Sequence, residues 1–380
     1  MALRALARVN LAAIERNVSR LRAELVGGAG LCAVVKADGY GHGAAPAARA
    51  ALAGGARSLA VATAEEAASL RGARIEAPVL VMGAVSDEEL PVVLGAGAEV
   101  VAWSDRFVGA LMSARERVGP AAAEPVRVHV KLDTGMGRLG TRVFDEAIRV
   151  AERVTDAGPG IELAGAMTHF ASADEDPEFT ALQLSRFEPF VAALRERRPG
   201  IVAHAANSAA TLRLSASHLD LVRCGIAVYG CDPMNDDPSL HGLEPALELT
   251  SYVAALKAAA PGESAGYGRR WVAHTETWLA TVPVGYADGI RRALTNNCEV
   301  LISGRRYPLV GTVSMDNITV DVGAPDAVRC GDLVTIIGSD GSEHVTAEEL
   351  ARRIGTISYE ITCGVSSRVP RTYHRDGEPA

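Results

Sequence analysis

Along the first 230 residues, short apolar runs alternate with longer Ala-, Arg- and Glu-rich stretches whose apolar positions recur at helical spacing. The runs are "LCAVVKA" from Leu31, "SLAVAT" from Ser58, "PVLVMG" from Pro78, "EVVAWS" from Glu99, "VRVHVKLDT" from Val126, "IELAGAMTHF" from Ile161, "IVAHAANS" from Ile201 and "LDLVRCGIAVYG" from Leu219. This rhythm predicts repeated βα units around a parallel sheet. Thr63 with Glu66, and Ser86 with Glu89, set an acceptor and a carboxylate three residues apart, the capping box expected where a helix begins. Eight units in this length predict a TIM-type (β/α)8 barrel, and an open doubly wound sheet has the same local signature. Ahead of the first run, Asn10 is predicted to cap a helix that sets Leu11, Ile14, Val18, Leu21 and Leu25 on one face.

After about residue 240 the rhythm changes. β-rich runs such as "WLATVPVGYADG", "CEVLISGRRYPLVGTVSMDNITVDV" and "DLVTIIG" are separated by Gly, Asp and Pro turns, and "TAEELARRI" is the one clear helix. The expected organisation is a barrel over residues 1–240 followed by a mostly β domain over 241–380.

Composition narrows the function. At 48% hydrophobic and 22% charged residues the chain has the make-up of a globular protein. Its net charge of -8 leaves no electrostatic footprint for nucleic acid, and no Lys/Arg block suggests a membrane patch. With no apolar signal core at the N-terminus and no apolar stretch of about 18 residues, a cytoplasmic location is expected. The six cysteines are scattered without a CxxC or a His/Cys cluster, so free thiols are expected rather than disulfides or a metal site. Small-molecule chemistry is the remaining expectation.

In barrels and doubly wound sheets reactive groups sit at the carboxyl ends of strands. Lys36 ends the first run. An amine there is partly desolvated, which disfavours its charge and frees it to attack a carbonyl and form a Schiff base. A lone lysine would more simply snorkel to solvent. Here Gly39, Gly41 and Gly43 allow close approach, and Tyr40 brings a phenol near the amine. If the carbonyl were that of pyridoxal phosphate, Asn207, Ser208 and the amides of Gly225 and Ile226 would cradle the phosphate without a cationic cluster. Arg223, between apolar residues, must be paired or face a ligand. A ring nitrogen facing it would stay unprotonated, which suits proton exchange at one carbon better than transamination. His204 and His169 would buttress this side, a satisfied core role being the plainer reading of each. In "KLDTGMGRLG", Arg138 offers a fork for a carboxylate or phenolate, and Lys131 is expected to pair with Asp133 or a nearby glutamate.

The segments "AVVKADGYGHG", "KLDTGMGRLG", "MTHFASADE", "HAANSAATLR", "VRCGIAVYG", "AGYG", "PVGYADG", "GTVSMDNITVD" and "SYEITCGVSSRVPR" resemble, in order, the motifs of bacterial alanine racemase. The resemblance implies a pyridoxal 5'-phosphate enzyme of fold type III that supplies D-alanine for peptidoglycan. It also implies a head-to-tail homodimer whose C-terminal domain contributes to the partner's active site. Carried over by motif, Lys36 would bind the cofactor and exchange the α proton on one face, and Tyr267 would do so on the other, supported by His204 and Arg223. Arg223 would face the pyridine nitrogen, with Tyr40, Ser208, Gly225, Ile226 and Tyr359 around the phosphate. Arg138 would lie by the phenolate and the substrate carboxylate, and His169 near the ring. Met315 would meet the substrate through its amide, with Asp316 and Tyr286 in support. Lys131 matches a position that is carbamylated in some members. Two departures are visible: Ser314 where many members have cysteine, and Asp38-Gly39 where Asn-Ala is frequent. The competing readings are a serine or broad-range racemase and, from another class, a carrier of pyridoxal phosphate without catalysis.

Overall fold

The computed structural model describes residues 3–118, 124–324, 326 and 328–380. Each of the eight apolar runs forms a strand: β1 Gly30–Val34, β2 Ser58–Val61, β3 Val79–Val81, β4 Glu99–Ala102, β5 Val126–Lys131, β6 Ile161–Met167, β7 Val202–His204 and β8 Leu221–Cys224. All neighbours are parallel, in the order β7-β6-β5-β4-β3-β2-β1-β8. The remaining seam is closed by the Asp220 amide donating to the Ala203 carbonyl at 3.1 Å and the Arg223 amide donating to the Ala206 carbonyl at 2.9 Å. A sheet wound once and closed in this way is a barrel, so the doubly wound alternative falls. Strands buried on both faces need near-continuous apolar sequence, and that is what made them visible. Burying each Val or Leu contributes roughly 1.5–3 kcal/mol.

The Thr63/Glu66 capping box is present at the helix Ala64–Gly72. Ser86 and Glu89 make the same reciprocal bonds, one turn before the helix Leu90–Gly95. Asn10 caps the helix Leu11–Ala23, its side chain accepting the Ala12 amide at 3.1 Å, and Leu11, Ile14, Val18 and Leu21 are buried. Leu25 lies beyond the helix end.

The chain folds into two compact units. One comprises Glu15–Gly39 and Ala44–Val228, the barrel; the other comprises residues up to Ile14, Tyr40–Gly43 and everything from Tyr229 on. In the second unit Leu6–Asn10 is a strand that the sequence pattern does not announce. It pairs antiparallel with Leu247–Tyr252 and parallel with Arg371–Arg375. Leu333–Asp340, Glu299–Ile302 and Arg305–Pro308 extend this sheet, and Ala255–Ala259, Thr277–Val282 and Ile318–Asp321 form a three-stranded one. Besides the helix Ala347–Arg353, capped by Thr346 as "TAEELARRI" predicts, a second helix covers Ser358–Cys363. None of the six cysteines is in a disulfide, and burial pushes Cys32 up to about 11 and Cys224 up to about 12, which keeps both protonated. Among the described residues no His/Cys/Asp/Glu group could hold a metal, and no helix is long and apolar enough to cross a membrane.

Candidate active site

Lys36 stands two residues past β1, half-buried, at the start of an unusual turn: Ala37, Asp38, Gly39 and Tyr40 are all left-handed, with φ of 52°, 52°, 62° and 53°. Such a backbone costs roughly 1–2 kcal/mol per residue with a side chain, and it persists only where the surroundings hold it. The Ala37 amide donates to Glu66 Oε1 at 2.6 Å while Glu66 Oε2 accepts the Ala62 amide at 2.7 Å, and the Ala44 amide donates to Asp38 Oδ1 at 2.8 Å. Glycine adopts this region at less cost than alanine, which gives Gly39 in place of the frequent Ala a local reason. Glu66, visible in the sequence only as a helix cap, therefore also fixes the backbone beside the lysine.

Arg223, on β8, is only 3% exposed. Its Nη1 donates to His204 Nδ1 at 2.9 Å, and its Nη2 reaches the carbonyls of Thr168 and Ala205 at 2.8 and 2.9 Å and His169 Nδ1 at 3.2 Å. Every acceptor is neutral, and its Nε is buried with no partner. Burial brings the guanidinium down to about 10, still charged near neutrality. Burial, followed by the charge of Arg223, holds His204 and His169 well below the usual histidine range, so both are neutral.

Lys131 is 2% exposed, and burial, with the charges of Arg223 and Arg138, pushes its amine down to about 8. The expected pairing with Asp133 is not what holds that carboxylate: Asp133 accepts the amides of Gly135, Met136 and Gly137 and the Arg142 guanidinium, and so shapes the turn that leads to exposed Arg138. Asn207 caps the short helix Ser208–Arg213, its Oδ1 accepting the Ala210 amide at 3.0 Å. Buried Ser208 accepts the Gly225 amide at 3.0 Å, beside buried Ile226. These groups lie together at the ends of β7 and β8.

The second unit holds the other sequence-predicted residues in two places. Tyr40 packs with Tyr359 at a ring separation of 6.0 Å. Elsewhere three segments converge: the Thr312 hydroxyl donates to the Tyr267 carbonyl at 2.6 Å, the Tyr286 amide to the Ser314 carbonyl at 3.0 Å, and the Ala287 amide to the Met315 carbonyl at 3.0 Å. A Cβ at Gly285 would lie 2.3 Å from the Met315 carbonyl oxygen, so only glycine permits this approach. Asp316 pairs with Arg368 at 2.7 Å, and Arg368 also approaches buried Asp288. Tyr267 is 75% exposed, and Tyr286 and Met315 are exposed too. Asp288 and Arg368, which brace these segments, were not legible as site residues, because their partners lie far apart in sequence.

A lysine amine at a barrel strand end, a hydroxyl at a helix start and a buried arginine Nε free to donate fit pyridoxal 5'-phosphate: aldehyde, phosphate and ring nitrogen each have a complementary group. The class is a barrel enzyme dependent on that cofactor. Residues 9–233 match the family model for the alanine racemase N-terminal domain, and residues 246–373 match that for the C-terminal domain. The alanine racemase of Symbiobacterium thermophilum is 44% identical over 97% of this chain and 96% of its own, and that of Frankia casuarinae is 42% identical over 98% and 96%. The crystal structure of the alanine racemase from Streptomyces lavendulae superposes with a TM-score of 0.92 at 36% identity, covering 98% of both chains. That of Bacillus anthracis, with bound L-Ala-P, gives 0.89 at 35%, over 100% of this chain and 97% of that one. The chain belongs to the alanine racemase family.

Proposed function

We propose that the chain interconverts L- and D-alanine by two-base proton exchange, with Lys36 and Tyr267 on opposite faces of the substrate's α carbon. The observation that carries this reading is Arg223, a buried cation held by neutral acceptors with Nε unengaged. A ring nitrogen that accepts from it stays unprotonated, which favours proton exchange over reactions that need a stronger electron sink. Pyridoxal phosphate, when bound, supplies the electron sink that acidifies the α carbon. In this reading Lys36 Nζ takes and returns the proton on one face and the Tyr267 hydroxyl does so on the other. Arg138 and the Met315 amide orient the substrate carboxylate, and His169, His204 and Arg223 hold the ring side. Tyr40, Ser208, Gly225, Ile226 and Tyr359 serve the phosphate, with Asn207 holding the helix start. Asp316 and Tyr286 support the Met315 segment. The exposure of Tyr267 and Met315 supports a head-to-tail homodimer in which these residues complete the partner's site. D-alanine made in the cytoplasm would feed peptidoglycan.

The test is chiral detection of D-alanine formed from L-alanine by the purified protein with pyridoxal phosphate. An approach to an equal mixture is expected. Bound cofactor without D-alanine would direct the assignment to serine, other amino acids or a carrier; the family's C-terminal domain, with Tyr267 in it, weighs against the carrier.

Lys131 carries a separate expectation. A neutral amine attacks carbon dioxide and releases a proton to give a carbamate, and an amine lowered to about 8 is neutral in appreciable amount near pH 7.5. With carbon-13 bicarbonate, the native protein is expected to show a carbamate carbon that disappears in Lys131→Ala. Absence of that signal in the native protein would remove the modification.

A further inference from the structure

From Arg223 the hydrogen bonds continue away from the cofactor side, through the barrel interior. His204 Nε2 lies 2.8 Å from His129 Nδ1, His129 Nε2 lies 2.7 Å from Glu99 Oε2, and Arg127 Nε donates to Glu99 Oε1 at 2.9 Å. His204 is on β7, His129 on β5 and Glu99 at the first residue of β4, so the chain of bonds runs from the carboxyl ends of the strands to their amino ends. There Glu99, Arg127 and His129 line a floor cavity of about 530 Å³, together with Arg57, Arg195 and Asp220. The sequence motifs left His129 and Glu99 without a role.

The directions of these bonds are determined one from the next. A guanidinium only donates, so His204 Nδ1 must accept, and a neutral His204 then carries its proton on Nε2. That proton is donated to His129 Nδ1, which leaves His129 protonated on Nε2 and donating to a carboxylate that only accepts. Burial would raise the Glu99 carboxyl, but the hydrogen bond from His129 together with the charge and hydrogen bond of Arg127 outweighs it and holds the group below its usual range, hence ionised.

We propose that Glu99 and His129 are positioning residues of the racemase site, acting as a relay that fixes the tautomer of His204 and thereby the orientation of Arg223 toward the cofactor ring nitrogen. The proposal rests on the assignment of Arg223 to that nitrogen. Without the carboxylate, His129 is free to move its proton to Nδ1. His204 must then present Nδ1–H to the Arg223 Nη1, two buried donors face each other, and one of them turns away.

The test uses the holoenzyme labelled with nitrogen-15 in its nine histidines, with the side-chain nitrogen shifts reporting each tautomer. In the native protein His129 and His204 are expected to carry the proton on Nε2. In Glu99→Met, His204 is expected to leave that tautomer, with kcat lowered up to about 100-fold in both directions through misplacement of Arg223. Glu99→Gln retains a carbonyl oxygen for His129 and is expected to keep the native tautomer and most of the activity. His129→Phe leaves the His204 Nε2–H without its acceptor and is expected to shift the His204 Nε2 signal and to lower kcat in both directions as the Met variant does. A native His204 protonated on Nδ1, or a His204 signal unchanged in both breaking variants, would overturn the relay. A native protein that makes no D-alanine yet shows these tautomers would overturn the substrate assignment and leave the relay standing.

Discussion

Lys36→Ala is expected to abolish covalent attachment of pyridoxal phosphate and to lower racemisation by at least about 10⁴-fold, the upper end of what a positioned acid or base contributes, because the same amine is also the anchor. The readout is unusually clean, since the chain has three lysines: Lys36, Lys131 and Lys257. Borohydride reduction of the loaded native protein should place the cofactor label on the Lys36 peptide and nowhere else, and the variant should carry none. Lys36 is not among the left-handed residues of its turn, so alanine introduces no new strain there. Glu66 and Asp38 continue to hold the backbone on either side. The melting temperature of the apo protein should therefore move by no more than a few degrees. Label on Lys131 or Lys257 in the native protein would place the attachment elsewhere.

That Lys36 was legible, while Glu99 was not, follows from the kind of information each needs. A parallel strand buried on both faces leaves a continuous apolar run, and a lysine at its carboxyl end interrupts the run at the place where barrels do chemistry. His129 sits in "VRVHVK" as one polar residue of an apolar strand. Its partners lie on β4 and β7, and only the register of the closed barrel brings the three together. The strand Leu6–Asn10 was hidden for a similar reason. It is five residues long, abuts a helix and pairs with segments more than 230 residues away, so nothing local distinguishes it. The six-residue helix Ser358–Cys363, which carries Tyr359, is too short to show a period. Tyr267 lies in a turn with no apolar pattern around it, and only the family motif singled it out.

Tyr267→Phe is the sharper test of the two-base reading, provided the right quantity is measured. Loss of the hydroxyl is expected to lower racemisation by about 10²–10⁴-fold. The L and D forms of alanine have equal free energies, so the losses in kcat/KM must be the same in both directions whichever face the tyrosine serves. Racemisation rates therefore cannot distinguish opposed bases from one shared base. Exchange of the α proton with deuterated solvent can. With Lys36 intact, one enantiomer should still exchange its α proton with retention of configuration, while exchange from the other is lost; equal loss from both would remove the opposed arrangement. The substitution is mild for the fold, because Tyr267 is 75% exposed and its bond to Thr312 is made through the backbone carbonyl. If Tyr267 serves the partner's lysine, an inactive Lys36→Ala subunit and an inactive Tyr267→Phe subunit assemble one intact site and one doubly defective site. Mixing the two under conditions that exchange subunits should then restore about a quarter of native activity, half of the dimers being mixed and each carrying one good site of two. No recovery despite demonstrated subunit exchange would return Tyr267 to its own chain's lysine.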